Sequence, residues 1–339
     1  MTVLADIIRQ QIRATGPITL AEYMAFCLAH PEYGYYRSRD PLGEMGDFTT
    51  APEISQMFGE LVGLWLASQW QGTQCLLVEI GPGRGTLMAD ILRATAKVPG
   101  FHAAARICLI ETSPVLIGRQ QEALLGHNVE WFESIADLPE GPTLLIANEF
   151  FDVLPIRQFY RSSSGWQERM IGITDDRLCL GLGPSIDLDA PDLPEGSIWE
   201  TSPASHAIIA EIGARISTEG GAALVVDYGT WDGHGDTFQA IEKQKYSDPF
   251  ARPGHADLTA HVHFKTLAEA SNLHSEFTTQ GKFLRQLGIE ARAEVLSRSG
   301  QAERVAADLK RLTDAGEMGD LFKVLALVPH GADPLPGFT

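Results

Sequence analysis

Three runs in this 339-residue chain carry residue types that could do chemistry. The first is Leu76-Leu77-Val78-Glu79-Ile80-Gly81-Pro82-Gly83-Arg84-Gly85-Thr86, an apolar strand, a glycine turn and a helix start. Glycines there let backbone approach a nucleotide-like ligand at the carboxyl edge of a sheet. Spacing selects the ligand. A dinucleotide fingerprint is GxGxxG with a pyrophosphate on the helix N-terminus. Residues 81–86 read GPGRGT instead, and Pro82 removes an amide that a phosphate would use. In the second run, ANEFFDVLP, Asn148, Glu149 and Asp152 leave an apolar strand at that same edge. Such carboxylates can hold a guanidinium bidentately; the competing reading is that Asn148 caps a following helix. The third run, GDFTTAPEISQ, reads as a loop entering a helix, with Thr50 as N-cap, Pro52 in the first turn and Glu53 completing a capping box.

An acidic residue two positions ahead of GxGxG resembles motif I of class I S-adenosylmethionine (SAM) methyltransferases. A second acidic residue should then close the next strand and take the ribose hydroxyls; Glu111 stands there. Other signals are weaker. His255, His261 and His263 near Asp257 lack metal spacing and a fourth ligand, so no metal is expected. Tyr33, Tyr35 and Tyr36 read as packing before cation binding, Glu200 as a candidate facing an acceptor cleft, and Asp227-Tyr228-Gly229 as a strand end or a turn.

These groups need positioning elements. Helical periodicity covers Leu4 to Ile12, ending at Gly16-Pro17, then a helix capped by Thr19 and Glu22, and another over 54–70. From residue 75 apolar strands (75–80, 106–110, 129–132, 143–147) alternate with helices (86–97, 114–125), the texture of a parallel sheet covered on both faces. Residues 156–200 show hairpin texture with a turn at Ser162–Gly165. A helix over 203–216 and a strand over 222–227 follow, then a long aperiodic stretch, 229–262. Helices are expected near 264–271 and 282–287, a long one over 291–312, and a last strand over 322–328.

Composition excludes classes. Forty-four Asp and Glu against 26 Lys and Arg give a net charge of -18. That surface disfavours nucleic acid and anionic membrane and favours a basic protein segment or a small molecule. Four cysteines without paired spacing, no secretory leader pattern and no apolar run near ~18 residues read as a cytoplasmic chain without membrane insertion.

Together YYRSRDPLGEMGDFTTAPEISQMFGE, VEIGPGRGTL, ANEFFDVLP and HADLTAHVHF resemble the MidA-like SAM-dependent methyltransferases, over nearly the whole chain. That family includes a mitochondrial complex I assembly factor that methylates an arginine of a complex I subunit. The resemblance implies an α/β class I fold, a Rossmann-like seven-stranded sheet with an N-terminal helical cap (1–70) and an inserted β-hairpin subdomain (156–200). Residues 71–155 would bind SAM and 201–339 complete the core. It implies that Asp47, Thr49, Thr50 and Glu53 close the SAM pocket. Glu79, Gly81, Pro82, Gly83, Gly85, Glu111 and Ser134 complete the cofactor set; Asn148, Glu149 and Asp152 face the acceptor, an arginine-bearing protein segment. His263 stands where the family is expected to carry Asp. Oligomeric state, including a homodimer, stays open. So do a small-molecule acceptor, another side chain, and a non-catalytic SAM-binding assembly factor; a nucleotide-dependent oxidoreductase is disfavoured by the glycine spacing. Calorimetry should show heat of binding for SAM and S-adenosylhomocysteine and none for NAD; the reverse pattern refutes the methyltransferase reading.

Overall fold

A computed structural model describes residues 2–38, 49–298 and 300–338. Seven strands build the central sheet: β1 (Cys75–Ile80), β2 (Ala105–Ile110), β3 (Val129–Phe132), β4 (Thr143–Asn148), β5 (Gly221–Thr230), β6 (His274–Thr279) and β7 (Phe322–Val328). Their spatial order is β3-β2-β1-β4-β5-β7-β6. Only β7 runs antiparallel to its neighbours. A two-residue strand, Val262–His263, adds to the end of β5. This is the expected seven-stranded α/β architecture.

Continuous apolar strands feed two cores because alternate side chains point to opposite faces. Leu77, Leu144, Ile146, Leu224 and Val324 meet helices Gln56–Ser68 and Thr86–Thr95 on one face. Leu76, Val78, Leu145, Val225 and Leu325 meet helices Pro203–Glu219 and Phe264–Ser271 on the other. Strands β1 and β4 lie side by side with Ile80 opposite Ala147. From that pair the chain winds outward in both directions, which opens a crevice at their carboxyl ends.

A second, antiparallel sheet carries Arg157–Ser162, Gly165–Thr174, Arg177–Ile186 and Ile198–Thr201, joined by Ile18–Thr19. Ser162 pairs with Gly165, so the hairpin turn falls where expected. Helices Val3–Thr15 and Leu20–Ala29 share a third core with it: Leu4, Ile8, Tyr23 and Met24 pack with Ile156, Ile171, Ala256 and Leu258. The Thr19–Glu22 capping box is formed.

Two expectations need correction, and one strand has no counterpart in the sequence reading. The helix over 291–312 is two, Ile289–Ser297 and Ala302–Thr313, parted near Gly300 in the left-handed region (φ 91°). The stretch 229–262 is not all loop: Gln239–Glu242, Lys245–Tyr246 and Asp257–Thr259 form a small sheet. Strand β6 has no apolar run, because it is an edge strand and mostly half-buried. Among the described residues all four cysteines are free, and no helix is long and apolar enough to cross a membrane.

Helix Pro203–Glu219 crosses Phe264–Ser271 at Gly213, where an added Cβ would stand 2.0 Å from the Ser271 carbonyl oxygen. Gly213→Val should therefore cost roughly 3 kcal/mol or more, since backbone must move; urea melts of the variant read this, and an unchanged midpoint would contradict the packing.

Candidate active site

The crevice holds a cavity of about 400 Å³, lined on one side by the glycine turn and Glu111 and on the other by Asn148, Glu149 and Asp152. Gly81, Gly83 and Gly85 have φ of 64, 53 and 85°. The turn closes with the Gly85 N–H donating to the Pro82 carbonyl at 2.8 Å. A Cβ on Gly81 would press on Phe150 at 3.0 Å, so side chains are excluded where backbone meets the cavity. Gly85 caps helix Thr86–Thr95 and stands outside the lining. Glu79 is buried, which pushes its pKa up to about 8 against a backbone hydrogen bond from Met88. Its Oε2 has no hydrogen-bond partner among the described residues.

Glu111 is braced from two directions. Its Oε1 accepts from the Thr112 and Ser113 amides at 2.8 and 2.7 Å. Its Oε2 accepts from Gln120 Nε2 at 3.3 Å. The same Gln120 amide donates to the Gly83 carbonyl at 2.8 Å, while its Oε1 accepts from Trp131 Nε1. Gln120 is fully buried and ties the glycine turn to Glu111. Nothing in its helical sequence context marks it.

On the opposite wall no helix follows β4, so Asn148 is not a helix cap. The chain instead turns through Glu149 with φ 50°, a conformation that non-glycine residues hold only when the surroundings impose it. The Glu149 amide donates to the Val226 carbonyl at 2.9 Å. Beyond it, the Phe151 and Asp152 amides donate to Asp227 Oδ2 at 3.0 and 3.2 Å. The Glu149 carboxylate accepts from the Ala51 amide at 3.0 Å and from Asn148 Nδ2 at 3.2 Å. Burial pushes Glu149 up to about 8, with the Asp152 charge adding to it. Burial also raises Asp152 to about 6, opposed by the Tyr228 hydroxyl. Asp227 is pushed up by burial and then by Asp152 and Glu149. Asn148 Oδ1 and Asp152 Oδ1 have no partner among the described residues.

The cap contributes helix Ala51–Ile54, but not by the capping box expected. Thr50 makes no side-chain cap bond. Glu53 instead accepts from the Thr86 hydroxyl at 2.5 Å, joining the cap to the start of the glycine helix. Thr50, Glu53 and Pro82 line the cavity; Thr49 does not, and Asp47 lies outside the described residues. Ser134 is exposed and bonded to Asp137 in a capping box of its own, away from the lining. Glu200 is buried against Gln158 and Thr237 and faces a separate small cavity beside His263, not this one. Among the described residues no group of His, Cys, Asp or Glu is arranged to hold a metal. Tyr36, read from sequence as packing, enters the lining with its hydroxyl on Asp257.

The residues fit SAM. The volume lies within the ~300–1,000 Å³ of ligand pockets. Glu111 stands at the strand end where ribose hydroxyls would be taken, and Leu116 and Leu87 give an apolar wall. Six lining carboxylates face one basic lining residue, Arg84, among the described residues, so the space favours a cation such as a sulfonium.

A family model for S-adenosyl-L-methionine-dependent methyltransferases matches residues 61–283. The Xenopus tropicalis protein named "Protein arginine methyltransferase NDUFAF7, mitochondrial" is 36% identical, the match covering 97% of this chain and 87% of that protein. The Homo sapiens protein of that name is also 36% identical, over 94% of this chain and 82% of its own. A crystal structure from Burkholderia thailandensis with S-adenosyl-homocysteine bound superposes with a TM-score of 0.89 at 28% identity, covering 99% of this chain and 94% of that one.

The buried acids set a pH dependence. An acid whose pKa folding raises contributes stability that is fully present below its ordinary value, 4.5 for Glu149, and lost as pH climbs through about 8. Ligand-free protein should therefore lose thermal stability between about pH 5 and 8 and change little above that. Glu149→Gln, which mimics the protonated acid, should lose on the order of 1–3 kcal/mol less over that range. Parallel melting curves for the two proteins would contradict the burial argument.

Proposed function

Because this chain belongs to the S-adenosyl-L-methionine-dependent methyltransferase family, we propose that it methylates the guanidinium of an arginine side chain on a protein. The observation that carries this is the wall opposite the glycine turn, where half-buried Glu149 stands beside buried Asp152 and where Asn148 Oδ1 and Asp152 Oδ1 still lack partners among the described residues. Acceptors left unsatisfied in a closed space call for a multivalent cationic donor, and an arginine fork supplies five N–H groups. The names of the relatives agree with this choice, and the resemblance directs the search first to subunits of respiratory complex I.

In this reading Glu111, held by Gln120, takes the ribose hydroxyls, and Thr50 and Glu53 close the donor pocket. When bound, SAM supplies an electrophilic methyl carbon on a sulfonium. Arrival of the acceptor cation favours the ionised forms of Glu149 and Asp152. The two carboxylates then orient one nitrogen in line with the methyl and stabilise the charge moving onto it. The proton which that nitrogen sheds as its new bond forms passes to one of them and on to solvent.

Mass spectrometry of extract proteins incubated with this enzyme and isotopically labelled SAM should find the label on arginine; label confined to other side chains or small molecules would overturn the proposal. Glu149→Gln should leave SAM affinity within a few-fold and lower turnover by ~10²-fold, the scale of losing an electrostatic stabiliser. An equal loss of both would move Glu149 to the donor side.

A further inference from the structure

Beyond the donor-closing helix, the N-terminal region reaches the cavity with Ala25, Leu28, Ala29 and Tyr36, of which Tyr36 alone carries a polar group. Tyr36, in the short helix Tyr35–Ser38, donates its hydroxyl to Asp257 Oδ2 at 2.8 Å. Both residues line the same cavity as Glu149 and Asp152. Asp257 is only 3% exposed and comes from the strand Asp257–Thr259. Asp257 thus adds a carboxylate to the cavity wall from an element separate from both the glycine turn and the turn after β4.

Its placement against Asp152 is fixed. The Ala260 amide, three residues on, donates to the Asp152 carbonyl at 2.9 Å. The Tyr228 ring lies beside both Asp152 and Thr259, the latter in the same strand as Asp257. Tyr36 lies close enough to both aspartates to feel each charge. Two buried carboxylates from different elements thus line one space, and Tyr36 bonds one of them.

A guanidinium is planar, with five N–H donors on three nitrogens. One carboxylate on one edge still lets the fork swing; a second, on another edge, fixes its rotation and presents the remaining nitrogen. Resting on the arginine reading above, we propose that Asp257 is a further catalytic residue that grips the acceptor guanidinium on a second edge, and that Tyr36 is the positioning residue that fixes Asp257. The acceptor site is then complete only with the N-terminal region docked.

The test uses the full chain with Asp257→Asn and Tyr36→Phe. Calorimetry with S-adenosylhomocysteine should give affinities within two-fold of the unmodified protein for both. On that complex, N-acetyl-arginine amide should bind ~10–100-fold more weakly to Asp257→Asn, the loss of a charge-assisted pair. Tyr36→Phe should raise KM for an arginine peptide ~3–10-fold, the scale of one hydrogen bond, with kcat within two-fold. N-acetyl-lysine amide, with no plane to fix, should be indifferent to both changes. Arginine binding and KM unchanged in both variants would overturn the proposal, as would a parallel loss of S-adenosylhomocysteine binding. If Asp257→Asn does not fold, Tyr36→Phe decides alone, and an unchanged KM sinks the idea. If the unmodified protein transfers no methyl to arginine, the arginine reading fails and this proposal falls with it; transfer at full efficiency by both variants removes Asp257 and Tyr36 only.

Discussion

Buried carboxylates with no ion-pair partner among the described residues are the constraint on which this structure turns. Glu79, Glu149, Asp152 and Asp227 are each pushed upward in pKa by burial, and three of them line one cavity. Desolvating that many acids costs folding free energy unless they stay protonated or meet a cation. In the proposed reading the fold keeps them where a cationic donor and a cationic acceptor meet, so the cost is recovered at the moment of binding. Two cations repel each other in water; a shared anionic wall removes that barrier to their approach.

The acceptor wall is held by backbone as much as by side chains. Alternation along β5 leaves Asp227 on the face opposite Leu224 and Val226, under the turn that leaves β4. From there it captures two amides of that turn and allows Glu149 its left-handed conformation. Glu149 in turn receives the Ala51 amide of the cap. The sheet, the strained turn and the cap are therefore linked through a few bonds around one residue.

Much of this was legible in the sequence because it is local. The glycine turn, the apolar strands and Glu111 are neighbours in sequence with a fixed period, and so is the Thr19–Glu22 box. What escaped depends on contacts between distant positions. Gln120 is an ordinary helix residue until Gly83, 37 positions away, comes to rest against it. Tyr36 and Asp257 are separated by 221 positions. Strand β6 was invisible because an edge strand needs no apolar run, and the Thr50–Glu53 capping box failed because Thr86 offered Glu53 a better partner. Ser134 bonds Asp137, and Glu200 bonds Thr237 and Gln158, partners that explain both without the cavity.

The third core also governs the order in which the molecule can be made. The first two helices have few mates of their own: Thr2 donates to the Pro253 carbonyl and Tyr23 to the Pro249 carbonyl, 251 and 226 positions downstream. Their apolar faces rest on Ala256 and Leu258. On the ribosome, at about 5–20 residues per second, those partners emerge roughly 10–50 s after the helices do. Through that interval Leu4, Ile8, Tyr23 and Met24 have only the part of their cover that Ile156 and Ile171 supply, long enough for a chaperone to engage them. The opening stretch of the polypeptide is thus among the last to settle, and a truncated translation product lacking the region around residue 256 would be left with sticky, unpaired helices.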